Sequence, residues 1–285
     1  LLFGERRVRE TAILRVTRSA DISVRDIMDG CDADLRAAME RLLRRRRRLE
    51  PVRAQLQGKV TDEMRETART LLGLPKRQLF CTSAPADLSF VLTMPGEFDL
   101  TGLTCPEVTP ARNVALQKGD YFAYLARHDL LLALPYQSVN PFVDLLYEAA
   151  DDPDVVSIKI TLYRLAGSSR IAAALAYAAE HGKQVQCLLE LRARFDEQSN
   201  IDYSRMLEDA GCDILYGLTQ YKVHTKLCLI TRRCPGGICY YTQVGTGNYN
   251  EKTAEQYTDL MLLTSDPAIG RDAARTFDRL ARGET

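Results

Sequence analysis

Histidine is scarce in this sequence: there are three, at His128, His181 and His224. Histidine chemistry therefore has few possible homes. No excess of either charge is present, since 38 Lys and Arg balance 38 Asp and Glu. The whole chain does not attract polyanions, so any anion site has to be a local concentration of positive charge. No apolar run approaches the ~20 residues that a membrane span needs. The N-terminus, LLFGERRVRE, has neither the long apolar stretch nor the small-residue cleavage site of a signal peptide. The eight cysteines follow no metal-binding spacing. Cys234 and Cys239 form one close pair, with no second pair to complete a zinc site. They read as free thiols of a reducing compartment, several of them acting as small hydrophobes. No internal repeat or low-complexity segment stands out.

What is present is an ordinary globular composition, 46% hydrophobic and 27% charged over 285 residues. That length accommodates two domains. The chain starts at Leu1 in a strand-like stretch and ends after a helical one, so it reads as a piece of a longer protein. Residues 5–18 alternate as a strand, and 32–49 carry an apolar stripe at helical spacing. The arginines at 41 and 44–48 fall in that helix's last turns and read as a solvated helix end. A strand at 52–58, a helix at 61–72 closed by Gly73 and a strand at 78–85 follow. Residues 95–120 are rich in Pro and Gly, which places a boundary near 105. Beyond it the rhythm changes. Strands at 154–164 and 183–192 alternate with helices at 168–182 and 200–211. CDILYG, KVHTKLCLIT, YYTQVGT and TDLMLLT follow as strands, and 266–281 as a helix. This pattern predicts βαβ units and a mixed sheet.

The chemistry-bearing residues cluster in the second half. In KVHTKLCLIT, residues two apart on a strand share a face and lie about 7 Å apart. Lys222, His224 and Lys226 would then form one polar row. Cationic neighbours disfavour the imidazolium and push His224 towards its neutral, nucleophilic form. The alternative is a strand-end histidine between two snorkelling lysines. GTGNYN, at 245–250, is a strand-to-helix turn whose backbone N–H groups, with Thr246 and Asn248, suit a phosphate. It also reads as a glycine turn with Asn250 as a helix N-cap. Arg164, Arg192 and Arg194 end strands, where open α/β sheets bind ligands. They suit phosphate, or ion pairs with Asp196 or Glu197. Tyr257 suits a base or a phosphate, or a half-buried core position. His128 and His181 sit at element ends with no assigned role.

TLYR, ELRARFDEQSNIDY, VHTK and GTGNYNEKTAEQYTD, with the earlier APADLSF and LQGKV, resemble the polyphosphate kinase family related to phospholipase D. The resemblance runs along nearly the whole chain and is densest from Asp154 to Ala268. It implies an α/β fold: a phospholipase D-like lobe, with a mixed sheet flanked by helices, over 105–285, preceded by a small α+β head module over 1–104. It implies reversible transfer of the ATP terminal phosphoryl group to inorganic polyphosphate through a phosphohistidine at His224. Lys226 would assist. Arg164 and Arg194 would sit beside the phosphates and Mg²⁺, with any contact to the metal made through phosphate oxygens. Tyr257 would contact the nucleotide, and Thr246 and Asn248 would line the phosphate cradle. ATP or ADP and polyphosphate are the implied partners, with no nucleic acid and no membrane span. A cytoplasmic location with peripheral membrane association, and a homo-oligomer of the full-length protein, are further implications. Phospholipase D-type lobes carry H-x-K, four residues, then Asp. Thr231 stands at that position, against the alternative of a phosphodiesterase or nuclease. The other alternative is a non-catalytic polyphosphate-binding module. The family's second lobe and N-terminal domain are missing from the sequence, so the piece is expected to fold but transfer phosphate poorly.

Overall fold

The structure is a computed structural model that describes residues 8–19, 35–106, 108–111, 121–191, 193, 196–218 and 221–284. The chain separates into two compact units, Leu1–Pro106 and Glu107–Thr285.

In the first unit, β1 (Ile13–Arg18) pairs antiparallel with β2 (Pro51–Gln57), and β2 pairs parallel with β3 (Leu79–Thr82). Helix α1 (Leu35–Arg46) buries Leu35, Ala38, Met39 and Leu42 at helical spacing, while its terminal arginines are mostly exposed. Helix α2 (Asp62–Leu72) begins where the Thr61 hydroxyl accepts the Met64 N–H at 3.2 Å. A one-turn helix, α3 (Met94–Glu97), lies near the end of this unit.

In the second unit, α4 (Tyr121–Leu125), β4 (Leu130–Leu134) and α5 (Asn140–Asp151) come first. The sequence reading assigns no element to these residues. Then follow β5 (Val155–Leu162), α6 (Arg170–Glu180), β6 (Gln184–Leu189), α7 (Glu197–Asp209) and β7 (Asp213–Tyr216). The chain closes with β8 (Leu227–Cys234), β9 (Gly237–Gly245), the single turn α8 (Glu251–Ala254), β10 (Asp259–Thr264) and α9 (Pro267–Ala281). Seven strands form one sheet in the order β4-β10-β9-β8-β5-β6-β7. Strands β5, β6 and β7 are parallel, and every other pairing is antiparallel.

The register decides where the loops meet. Leu162 pairs with Leu189, Leu189 with Tyr216, Ile160 with Cys228, Leu227 with Val244, Gly245 with Met261, and Asp259 with Leu134. The carboxyl ends of β4, β5, β6, β7 and β9 and the amino ends of β8 and β10 therefore meet at the same edge of the sheet, and those of β5, β6, β8, β9 and β10 carry the motifs. Residues Leu227–Ile230 of β8 are buried on both faces. Leu227 and Leu229 pack against Ala273 and Phe277 of α9. Among the described residues, no helix is long and apolar enough to cross a membrane.

Two sequence expectations are corrected. The KVHTKLCLIT strand begins only at Leu227, so Lys222, His224 and Lys226 precede it and form no strand row. Cys234 and Cys239 are joined by a disulfide across the β8–β9 hairpin, against the reading of free thiols. Cys187, Cys212 and Cys228 are free and buried.

Helix α9 crosses β9 closely at Gly270, where an added Cβ would lie 2.3 Å from Tyr240 Cβ. Helix propensity alone favours Gly270→Ala by about 1 kcal/mol. We expect the substitution to destabilise the fold instead, by roughly 1–3 kcal/mol for an overpacked contact. Urea unfolding would show the midpoint fall, and an unchanged or raised midpoint would refute the close crossing.

Candidate functional site

His224 lies on the edge where the strand ends meet. Its segment is held by its neighbours' side chains, since the β5–β8 ladder stops at Ile160 and Cys228. One residue further along β5, the Thr161 hydroxyl donates to Thr225 O at 2.7 Å and accepts the Leu227 N–H at 3.1 Å. At the end of β6, Glu190 Oε2 accepts the Val223 N–H at 3.0 Å. The Lys226 ammonium donates to the His224 carbonyl.

The imidazole is exposed. It meets Tyr163 edge to face, with ring centroids 4.8 Å apart. Lys226 Nζ stands 5.4 Å from the same Tyr163 centroid, and Lys226 is only 6% exposed. Desolvation, then the charges of Lys226 and Lys222, hold His224 below the ordinary histidine pKa. Burial pulls the Lys226 ammonium below its own usual value, and the Asp259 carboxylate opposes that shift. The sequence reading credited the lysines alone with keeping the ring neutral; loss of water ranks ahead of them.

Asp259 links this group to the GTGNYN turn. Its Oδ1 accepts the Thr246 hydroxyl at 2.7 Å, and that hydroxyl accepts the Leu260 N–H at 3.0 Å. A Cβ at Gly247 would fall 2.5 Å from Asp259 Oδ2, so the turn closes on the carboxylate only with glycine there. The turn is anchored from below by Tyr249, which is fully buried, bonded to Gln243 and stacked on Phe142 at 5.2 Å. Asn250 caps α8 by accepting the Thr253 N–H, as one of the two sequence readings has it. Glu251 accepts the Ile171 N–H at 2.9 Å and so ties the turn to α6.

The structure thus brings His224, Lys226 and Thr246 together through Tyr163 and Asp259. Thr246's hydroxyl is committed to Asp259 and Leu260, which leaves the turn's shape as its offering. Asn248 Oδ1 is buried with no hydrogen-bond partner. Arg164 follows Tyr163, and its Nε lies 2.5 Å from Asp196 Oδ2. That is the ion pair weighed in the sequence. Tyr257 is 63% exposed, which excludes the half-buried core reading. Arg192 and Arg194 lie outside the described residues. His181 closes α6 and His128 is exposed, each remote in sequence from the motif-bearing ends. A cavity of about 470 Å³, lined by Asn140, Arg170, Glu251 and Lys252 among others, touches none of the predicted site residues. Sequence reasoning missed Tyr163, Thr161 and Glu190. Their signal was position: each stands at or beside the carboxyl end of a predicted strand.

Two family models match the chain. One, described as polyphosphate kinase C-terminal domain 1, covers residues 120–285, and another, polyphosphate kinase middle domain, covers 1–94. The polyphosphate kinase of Streptomyces coelicolor is 39% identical, over 98% of this chain and 38% of that protein. That of Staphylococcus haemolyticus is 37% identical, over 98% of this chain and 39% of that protein. A solved structure of polyphosphate kinase from Porphyromonas gingivalis is similar at a TM-score of 0.57 and 30% identity, over 82% of this chain and 37% of that one. The chain spans about two fifths of the length of the curated relatives it matches.

The electrostatics predict an imidazole that binds its proton less readily than an ordinary histidine. A ¹⁵N titration of His224, assigned by the loss of its signals in His224→Ala, should show a midpoint below the ordinary value of about 6.5. Lys226→Met removes a cationic neighbour and should raise that midpoint. A wild-type midpoint at or above the ordinary value contradicts the site's electrostatics.

Proposed function

Since this chain belongs to the polyphosphate kinase family, we propose that it carries the phosphoryl-accepting lobe of an enzyme that transfers the terminal phosphoryl group of ATP to inorganic polyphosphate. The observation that carries this reading is an exposed His224 beside the buried Lys226 ammonium, both on the edge with the GTGNYN turn. A neutral ring nitrogen offers its lone pair to the γ-phosphorus. The N–P bond forms as the bond from phosphorus to the β,γ-bridging oxygen breaks, and ADP leaves with that electron pair. A terminal oxygen of polyphosphate then attacks the same phosphorus, the N–P bond breaks, and the imidazole returns to its starting state.

Lys226 offers its positive charge to the phosphoryl oxygens from a partly dry position, where charge counts for more than in water. Thr246 shapes the turn and Asn248 adds a polar group to it. Arg164 and Arg194 are assigned to the phosphates, and Tyr257, exposed at the start of β10, to the nucleotide. Mg²⁺ fits here as a companion of the phosphates. Among the described residues, no three or more His, Cys, Asp or Glu cluster to hold a metal. Arginine has no lone pair with which to ligate one. Asp196 and Asp259 are the carboxylates close to the proposed phosphate contacts, and magnesium is commonly held by one or two carboxylates together with phosphate oxygens. Bound there, it would neutralise phosphate charge.

We assign residues 1–104 to the head module and 105–285 to this lobe, a division that the separation after Pro106 supports. The cytoplasm, where ATP is abundant, is the proposed location, and the family resemblance extends the proposal to a homo-oligomer of the complete polypeptide.

Incubation with ATP labelled in its γ-phosphate should give an acid-labile label, lost in His224→Ala and retained in His181→Ala. The complete polypeptide should label far faster than these 285 residues alone. Label that survives His224→Ala refutes the assignment. Cleavage of a phosphodiester by the wild type, without labelling, points to the phosphodiesterase alternative.

A further inference from the structure

We infer that Thr161 and Glu190 are positioning residues for His224, fixing the backbone on both sides of the imidazole. The inference rests on the phosphohistidine reading and deepens it.

Three backbone groups around His224 are taken by two side chains. On the N-terminal side, the Val223 N–H goes to Glu190 Oε2 at 3.0 Å. On the C-terminal side, Thr225 O accepts the Thr161 hydroxyl at 2.7 Å, and the Leu227 N–H donates to the same hydroxyl at 3.1 Å. A strand continuing from β8 would have offered these groups to the β5 backbone. Thr161 intercepts the two C-terminal ones just past the last ladder pair, Ile160 with Cys228, and Glu190 takes the third. The segment is thereby peeled from the sheet without leaving its polar groups unsatisfied.

Both side chains are themselves immobilised. Thr161 is 2% exposed and Glu190 1%. The Glu190 N–H donates to Leu162 O at 2.9 Å. The buried Asn200 amide bridges Glu190 O at 3.0 Å and Tyr163 O at 2.9 Å. One amide therefore ties the strand end holding Glu190 to the strand end holding Tyr163, whose ring faces the imidazole. The clamp and the ring contact share one frame. A rigid anchor under a reacting group matters because rate falls steeply with misplacement.

The experiment is best run on the complete polypeptide carrying these residues. Thr161→Val keeps the shape and removes both hydroxyl bonds. Phosphohistidine formation should slow by about 10–100-fold, the scale of an ångström-sized misplacement. The ATP concentration for half-maximal rate should stay unchanged. Thr161→Ser restores the hydroxyl and should recover most of the rate, and Glu190→Gln, which keeps an acceptor, should lose less than Thr161→Val. A folded Thr161→Val that labels at the wild-type rate, or a Thr161→Ser no better than it, overturns the inference. Amide hydrogen exchange gives an answer independent of chemistry. The Leu227 N–H should exchange faster in Thr161→Val, and unchanged exchange there also overturns the clamp. If the wild type takes no label at His224, the phosphohistidine reading fails by itself. The clamp is then decided by exchange alone.

Discussion

A strand's backbone must find a partner for every buried N–H and C=O, and between β5 and β8 the ordinary partners run out after Ile160 and Cys228. What happens at the next rung determines the site. Had the ladder continued, residues 222–226 would have lain in the sheet, with side chains alternating between its two covered faces. Thr161 supplies a hydroxyl in place of a backbone partner, and the segment turns off the edge. Its side chains then sort by environment. Val223 and Lys226 go inward, and Lys222 and His224 face solvent. In the proposed phosphoryl transfer, an imidazole reaching a highly charged substrate would need that outward placement, and the lysine that tunes it would need the dry one.

The same arrangement is how a chain of zero net charge would hold the proposed phosphate site. Lys226 is buried with Asp259 acting on it, and Asp259 is bonded in turn to Thr246 of the glycine turn. The carboxylate lowers the cost of keeping an ammonium out of water. It also leaves the pair close to neutral. Positive charge is therefore concentrated at one edge without an excess over the whole molecule.

Much of this was legible in the sequence because its signals are local. The βαβ rhythm from Asp154 onward gave β5, α6, β6, α7 and β7 within a few residues, and glycine or a capping side chain marked several helix ends. The grouping of VHTK with the GTGN turn followed from their shared fitness for phosphate within one α/β unit. The exact start of β8 did not. Nothing in KVHTK says that a threonine 64 residues earlier will take the bonds its strand would have made. Alternation of Lys, Val, His, Thr and Lys fits a strand well, and tertiary bonding overrode it. Glu190 was hidden for a similar reason, since a glutamate at a strand end usually faces solvent. Residues 121–153 carried an apolar run and an amphipathic helix, and β4 completes the sheet by pairing with β10 at its far edge. The Cys234–Cys239 pairing was visible as a spacing, but its closure depends on the hairpin that sets the two residues side by side.

Under the proposed function, Arg164 has to reconcile a resting ion pair with a charged substrate. Its guanidinium lies against Asp196 at 2.5 Å, with both side chains about one third exposed. Exposed ion pairs are worth roughly 0.2–1 kcal/mol, and partial burial raises that only moderately. A guanidinium bond to a phosphate oxygen is charge-assisted, at about 1.5–3 kcal/mol each, and the guanidinium can make two in parallel. Against Asp196 alone, the phosphate of the proposed function would therefore compete at small cost. In the resting structure, the Asp196 carboxylate balances the arginine's charge. Under the proposed function, the ion-pair and phosphate readings of Arg164 would describe successive states of one residue, and the weakness of the first is what would make the second accessible.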